Sequence, residues 1–257
     1  MSNKIAICYT CCGPTYRKTA REKLLNLYTD NDDIYYFVIT DDVTSFTDIK
    51  RKNIHVYNLK YFYVEFPHLE KYEPFLESKN IAEYAKKFID QHYRFPFSTN
   101  RLHLILAKKY NITNIALLGT DTDLNIEKFQ QIEEKDNKLY NAVSRWDTGI
   151  TENNMGLVVS ILKDKYGLSV DERVRVFDAA GKLFCFESVD FMMYFLNIWD
   201  DVIKTLYTTK EIWRFAGSYA VNNEYILAPI YNAIGIHGGH QRLFNVNHMP
   251  EVERFWL

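Results

Sequence analysis

Four segments in the first sixty residues constrain the fold most, because apolar runs alternate there with a helical pattern. They are KIAICYT (4–10), TYRKTAREKLLNLY (15–28), DIYYFVITDD (33–42) and NIHVYNL (53–59). The first, third and fourth are apolar runs typical of buried parallel strands, whereas the second repeats its apolar residues at helical spacing. Strand, helix, strand, short helix, strand is the beginning of a doubly wound nucleotide-binding sheet. We predict an α/β fold with a Rossmann-like, mostly parallel central sheet flanked by helices.

The rest of the chain continues the alternation after an insertion. Residues 61–93 are aromatic, charged and helical in pattern, and we interpret them as an insertion or lid. The segment 98–110 begins with good N-cap residues, is predicted to be a helix, and leads into the strand that ends at Asp121. Strands are predicted over 138–146 and 174–187, the latter turning at Ala180-Gly181, and a long helix over 188–207.

The length of 257 residues fits one domain. We divide that domain, residues 1–257, into a nucleotide-binding half (1–125) and an acceptor-binding half (126–257). Lys and Arg total 31 and Asp and Glu total 33, for a net charge of −2. This balance gives no reason to expect a nucleic-acid partner, since such proteins usually carry a strongly basic face.

The four cysteines and the hydropathy pattern bear on the location of the protein. Cys8 and Cys11 form a C-x-x-C, but the remaining two, Cys12 and Cys185, do not form a second pair at zinc spacing. We interpret the cysteines as reduced core thiols of a cytoplasmic protein. The apolar run after Lys4 is shorter than a secretory signal, and no transmembrane stretch is evident, so we expect a soluble protein.

The segment IALLGTDTDLN (115–125) contains the strongest functional pattern, because an apolar run stops abruptly at acidic residues. On an extended backbone Asp121 and Asp123 point the same way, and two neighbouring carboxylates repel each other. A cation between them removes that repulsion. Hard oxygen ligands at a nucleotide site favour Mn²⁺ or Mg²⁺, bound together with substrate phosphates.

The order of motifs resembles the glycosyltransferases of the GT-A fold, nearest the retaining branch with glycogenin-like and blood-group-type enzymes. The motifs are a strand followed by TDD (40–42), an Arg-bearing helix, a strand followed by DxD, FDAAGKLFCF (177–186), NNEYIL (222–227) and a late His-Gly loop. The resemblance covers roughly residues 4–240. It implies transfer of a sugar from a nucleotide-diphosphate donor, with UDP favoured by its frequency in the family, to a saccharide or other hydroxyl acceptor.

The resemblance also implies contacts with the donor nucleotide. The chain around Tyr9 and Thr10 would contact the base and ribose, and Asp41 or Asp42 would face the base. Arg101, on the helix before the DxD strand, would reach the donor sugar or its phosphates. A surface ion pair is the alternative role for Arg101.

Further residues are implied at the metal and at the reacting carbon. The metal ligands implied by the resemblance are Asp121, Asp123 and His237. Gly238 beside the histidine would let the loop approach phosphate, because glycine allows close backbone contact. Glu224 would face the anomeric carbon, although it is also an acid that a helix N-terminus favours. Asp178 would contact the sugar, where relatives often have Asn in an Asn-Ala-Gly motif.

Two other functions fit parts of the pattern. A sugar nucleotidyltransferase also uses a Rossmann-like sheet with acidic metal ligands, but its first loop is normally rich in glycine. Here that loop, TCCGPTYRK (10–18), has one glycine. A catalytically inert, transferase-like sugar-binding protein is the non-enzymatic alternative.

Overall fold

A computed structural model gives the fold of the chain. The residues that it describes are 4–61, 95–118, 120, 122–124, 126–127, 139–141, 144–177, 183–186, 189–209, 211–215, 222–235 and 244–246. The interpretation of 61–93 as an insertion or lid therefore lies, apart from Tyr61, outside the described residues.

The described residues form ten strands and five α-helices. Strands of the first half are β1 (Ile5–Cys11), β2 (Ile34–Thr40), β3 (Ile54–Asn58), β4 (Asn114–Leu118) and β5 (Thr122–Leu124). Strands of the second half are β6 (Leu139–Asn141), β7 (Ser144–Gly149), β8 (Arg173–Phe177), β9 (Leu183–Phe186) and β10 (Phe244–Val246). The helices are α1 (Pro14–Leu27), α2 (Phe95–Tyr110), α3 (Met155–Tyr166), α4 (Val189–Thr208) and α5 (Asn222–Ala233). Short 3₁₀ turns occupy Val43–Phe46, Leu59–Tyr61 and Glu211–Phe215.

A six-stranded sheet in the order β3–β2–β1–β4–β9–β6 forms the centre of the fold. The strands β3, β2, β1 and β4 run parallel, while β9 is antiparallel to both of its neighbours. Two further antiparallel pairs, β5–β10 and β7–β8, lie outside this sheet. The prediction of an α/β fold with a mostly parallel central sheet flanked by helices is confirmed.

The continuous apolar strands arise because the sheet is covered on both faces. Alternate residues of β1, such as Ile7 and Tyr9, pack in a layer with Ala20 and Leu24 of α1. The intervening residues face a second layer, which contains buried residues of α2, α3, α4 and α5. Because side chains alternate along a strand, a strand buried on both faces needs apolar residues at every position.

The same alternation separates the two cysteines of the C-x-x-C. Cys8 belongs to the layer of α2 and Cys11 to the layer of α1, so the two thiols lie on opposite faces of β1. Both are buried, and burial raises the pKa of each thiol. The interpretation of these two residues as core thiols is therefore confirmed.

Two predictions for the second half need correction, and one helix was missed. The segment predicted as one strand over 138–146 contains β6 and the start of β7, which belong to different sheets. The strands predicted over 174–187 are β8 and β9, but they do not pair with each other, since β8 pairs with β7 and β9 with β4. Finally, α3 was not predicted at all, although it buries Met155, Val158 and Leu162 at helical spacing.

The helices of the described residues are also informative about membranes. None of them in the resolved ranges combines the length and the hydrophobicity required to cross a bilayer.

His103 is a polar residue inside the apolar layer of α2. Its side chain is 2% exposed, and neither ring nitrogen has a hydrogen-bond partner among the described residues. Burial lowers the pKa of His103 to about 3, because a charged imidazolium is poorly solvated in an apolar layer. The folded protein therefore holds this histidine neutral.

We expect His103 to make stability depend on pH. Its pKa is lowered in the folded state, so its contribution is complete above the unfolded value of about 6.5 and is lost as pH falls below it, by up to about 1.4 kcal/mol per pH unit. His103→Leu should remove this dependence, so the free energy of unfolding of the variant relative to wild type should rise by roughly 2 kcal/mol between pH 7 and pH 5. Urea denaturation at several pH values measures this difference. His55→Leu is the control. Burial also lowers the pKa of His55, but this residue is only half-buried, so the change should be smaller. Parallel pH profiles for wild type and His103→Leu would contradict the prediction.

Candidate donor site at the carboxyl ends of the parallel strands

Three neighbouring strands end at one edge of the central sheet. In the register of the parallel strands, Thr40 at the end of β2 lies opposite Cys11 at the end of β1, and Leu118 at the end of β4 lies opposite Tyr9. The TDD and TDTD sequences directly follow β2 and β4 at this edge. Ligands of open α/β sheets bind at the carboxyl ends of such strands. This edge is the candidate site.

Tyr9 and Thr10 differ in their exposure at this edge. The Tyr9 side chain is buried in the layer of α1, whereas Thr10 is half-buried. Because the Tyr9 ring is enclosed, any contact with a nucleotide at this position would come from the backbone, from Thr10 and from the turn that follows.

That turn is formed by Cys12 and Gly13 and leads into α1. Gly13 has a φ of 89°, a left-handed conformation that favours glycine, and it is followed by Pro14 at the start of the helix. Burial raises the pKa of the Cys12 thiol to about 12, and the negative charge of Asp41 adds to this effect. The thiol is therefore protonated at neutral pH and is a poor nucleophile.

Asp41 is engaged by the β1–α1 turn and by α1 itself. Its Oδ2 accepts a hydrogen bond of 3.1 Å from the Gly13 backbone N–H, and its Oδ1 accepts one of 2.6 Å from Arg17 Nη1. The backbone carbonyl of Asp41 accepts a hydrogen bond of 3.1 Å from Asn58 Nδ2 at the end of β3. Burial alone would raise the pKa of Asp41, but the hydrogen bonds from Arg17 and Gly13 outweigh burial and hold this pKa below its usual value.

Asp42 caps the 3₁₀ turn Val43–Phe46. Its carboxylate accepts hydrogen bonds from the Thr44 backbone N–H at 2.9 Å, from the Thr44 hydroxyl at 2.6 Å and from the Ser45 hydroxyl at 3.2 Å. These bonds lower the pKa of Asp42, with the Thr44 hydroxyl contributing most. Both acids considered as contacts of the base thus accept hydrogen bonds from the protein itself.

Asp123 lies on β5, in a two-stranded ribbon with β10. In this antiparallel register Asp123 is opposite Asn245, and Thr122 is opposite Val246. The ribbon therefore brings a late segment of the chain beside the strand that carries the DxD motif. Asp121, His237, Gly238 and Asp178 lie outside the described residues. Within the described ranges, no group of three acidic, histidine or cysteine side chains is placed to hold a metal ion.

Arg101 lies on the solvent-facing side of α2, about two turns from its beginning at Phe95. Since α2 precedes β4 and packs against β1, its amino end lies towards the carboxyl edge of the sheet.

Glu224 lies in the first turn of α5 and is only 5% exposed. The helix packs on β8 and α3, and Tyr231 of the same helix is buried. Burial raises the pKa of Tyr231, and the negative charge of Glu224 raises it further. Glu224 is therefore a buried acid of the helical layer.

The sequence analysis missed Arg17 and Asn58, whose side chains donate to the carboxylate and to the backbone carbonyl of Asp41, respectively. The position of Arg17 could have indicated this role. Arg17 follows Gly13-Pro14 by one helical turn, and the first turn of α1 contains no acid to pair with it. The strands β5 and β10 were also missed, because each strand has only three residues.

Comparisons with other proteins give structural likeness without sequence likeness. No family model matches the chain, and no curated protein matches it. Among solved structures, the galactosyltransferase LgtC in complex with donor and acceptor sugar analogues is 14% identical with a TM-score of 0.41, over 87% of this chain and 70% of LgtC. An active-site variant of LgtC gives 13% identity and a TM-score of 0.40, over 86% and 70% of the two chains. The PaToxG glycosyltransferase is 11% identical with a TM-score of 0.27, over 95% of this chain and 89% of PaToxG. At TM-scores below 0.5 these likenesses decide neither fold nor reaction.

Proposed function

We propose that the chain is a glycosyltransferase of the GT-A type that moves a sugar from a nucleotide-diphosphate donor to a saccharide or other hydroxyl acceptor. The observation that carries the proposal is the convergence of β1, β2 and β4 at one edge, where the acidic TDTD sequence follows β4 and the β5–β10 ribbon begins. An open α/β sheet binds ligands at this edge, and carboxylates there suit a divalent cation with phosphate ligands.

A second observation favours glycosyl transfer over nucleotidyl transfer. A nucleotidyltransferase normally binds phosphates with the loop after the first strand, and helix N-termini bind such anions through free backbone N–H groups. Here the carboxylate of Asp41 already accepts from the Gly13 N–H at the beginning of α1. A phosphate at this position would have to displace the Asp41 carboxylate, which is also bound to Arg17. The diphosphate of a donor therefore needs a cation elsewhere, and the DxD motif can hold one.

In this proposal Asp121 and Asp123 would hold Mn²⁺ or Mg²⁺ together with His237, which is the histidine that the resemblance implies. When bound, such an ion neutralises the charge that develops on a diphosphate leaving group. Arg101 offsets phosphate charge from α2, and Gly238 lets its loop approach the phosphates. The base and ribose lie against Thr10 and the following turn, and UDP is the favoured nucleotide.

The reaction breaks the bond between the anomeric carbon and the phosphate oxygen, and the acceptor hydroxyl forms the new bond and loses its proton. Positive charge grows on the sugar ring, so a carboxylate near it is stabilising. Glu224 fills this role in the proposal, with Asp178 contacting the sugar. We propose retention at the anomeric carbon, and NMR of the first-formed product tests it. An inverted product would recast Glu224 as a general base for the acceptor.

Titration of the purified protein with nucleoside diphosphates tests the function. UDP should raise the melting temperature in the presence of Mn²⁺, and chelation of the metal should remove most of that rise. A nucleoside triphosphate with a sugar 1-phosphate is the comparison for nucleotidyl transfer, and turnover of that pair would overturn the proposal. Absence of any response to Mn²⁺ and nucleotide sugars would favour the inert sugar-binding alternative.

A further inference from the structure

Asp41 connects four elements at the candidate site. Its side chain binds the Gly13 backbone of the turn after β1 and the Arg17 guanidinium of α1, and its own residue directly follows β2. Its backbone carbonyl accepts from Asn58 at the end of β3. The pair is well shielded, with side-chain exposures of 16% for Arg17 and 20% for Asp41.

The conformation of Gly13 shows what this connection does. Gly13 has a φ of 89° and no β-carbon that would restrict its backbone. No side chain among the described residues caps the amino end of α1. The Asp41 carboxylate supplies the missing restraint, because it binds the Gly13 N–H and, through Arg17, the first full turn of the helix. Charge-assisted hydrogen bonds of this kind are about twice as strong as neutral ones.

We propose that Asp41 and Arg17 are positioning residues that fix the β1–α1 turn in the shape that receives the nucleoside part of the donor. The inference rests on the proposed function. It gives Asp41 a role other than reading the base, since both of its carboxylate oxygens are directed at the protein.

The same helix offers a matched control. Arg21, one turn after Arg17, forms an equivalent ion pair with Asp48, and Arg21 Nη1 also donates to the Ser45 carbonyl at 2.9 Å. This pair is more exposed, at 30% and 66%, and the hydrogen bonds of Arg21 join α1 to Asp48 and Ser45 and not to the turn at Gly13. Loss of the Arg21–Asp48 pair thus removes similar chemistry without loosening the turn.

Affinities for UMP and UDP, each measured with and without Mn²⁺ by calorimetry, test the proposal. Asp41→Asn should weaken UMP and UDP by the same factor, roughly tenfold, which corresponds to about 1.4 kcal/mol. The ratio of UDP affinity with Mn²⁺ to that without should stay at the wild-type value, because the turn and the metal ligands are separate. Arg17→Met should show a smaller loss and Arg17→Lys partial rescue, since lysine keeps the charge but not the guanidinium geometry. Asp48→Asn and Arg21→Met should bind both nucleotides like wild type.

Hydrogen exchange of the nucleotide-free protein gives an independent readout. Asp41→Asn and Arg17→Met should speed exchange at the Gly13 amide and in the first turn of α1, whereas Arg21→Met should not. If Asp41→Asn does not fold, Arg17→Met carries both measurements. Wild-type affinity in a folded Asp41→Asn or Arg17→Met variant, or a loss confined to the Mn²⁺-dependent part of UDP binding, would overturn the positioning role. If the wild-type protein binds neither UMP nor UDP, the proposed function is wrong. The exchange experiment alone then reports whether Asp41 fixes the turn.

Discussion

Asp123→Ala is expected to remove the Mn²⁺-dependent part of UDP binding and to lower turnover roughly 10²–10³-fold, the usual loss when a charge-stabilising group is removed from an active site. Asp123 lies on β5 beside a late strand, at the edge where three parallel strands end. Without its carboxylate, a cation at the DxD motif keeps fewer hard ligands. The diphosphate then leaves without compensation for its charge.

Calorimetry with UDP in the presence and absence of Mn²⁺ measures the binding loss, and release of UDP from a sugar donor measures turnover. Glu127→Ala is a suitable control, because Glu127 is an exposed acid that follows β5 within a few residues. The Asp123→Ala variant should keep a cooperative unfolding transition, since β5 has only three residues. Unchanged UDP affinity at every Mn²⁺ concentration would remove the metal assignment.

Replacement of His237, which we propose as a metal ligand, is the second change for which we expect a large effect. A histidine ligand must be neutral, so Mn²⁺ affinity and activity of wild type should fall together as pH drops below about 6.5. Loss of that histidine should lower Mn²⁺ affinity about 10-fold or more and flatten the pH profile in this range, by analogy with changes around other metal sites.

His237 is the histidine that the resemblance implies as a ligand. In the part of the chain that the structure describes, β10 pairs with the strand that carries Asp123, with Val246 opposite Thr122. The same late segment of the sequence also contains His240 and His248.

Alanine variants at the three late histidines test this assignment. We expect His237→Ala to give the full loss, and His240→Ala and His248→Ala to do much less. Wild-type Mn²⁺ affinity in the His237→Ala variant would mean that this histidine does not bind the metal.

The parts of the fold that the sequence predicts are those in which burial determines residue type locally. The strands β1 and β2 are covered on both faces, so each is a nearly unbroken apolar run, and the pattern of α1 follows from the layer that contains Ala20 and Leu24. Their observed bounds differ from the predicted ones by at most two residues. Burial of this kind is a property of each segment and needs no knowledge of its partners.

Pairing between distant segments was not predictable in the same way. The strand β9 joins the central sheet beside β4, whereas β8, only a short distance earlier, pairs with β7. The sequence of β8 (RVRVF) alternates and that of β9 (LFCF) is apolar throughout, but neither pattern identifies the partner strand, which tertiary packing determines. The Asp41 network is a further case, because an aspartate that ends a strand looks the same in sequence whether it binds a ligand or an arginine of its own chain.

The β5–β10 ribbon has a consequence for when the proposed site can form during synthesis. The strand that carries Asp123 finds its partner in Phe244–Val246, more than a hundred residues later. On a ribosome, the parallel strands β1 to β4 can emerge and pair while β10 is still untranslated, since domains begin to fold as they appear. We therefore expect a nascent chain to acquire its sheet early and its affinity for Mn²⁺ and UDP late. Chains arrested before residue 244 should have the central strands yet bind no donor.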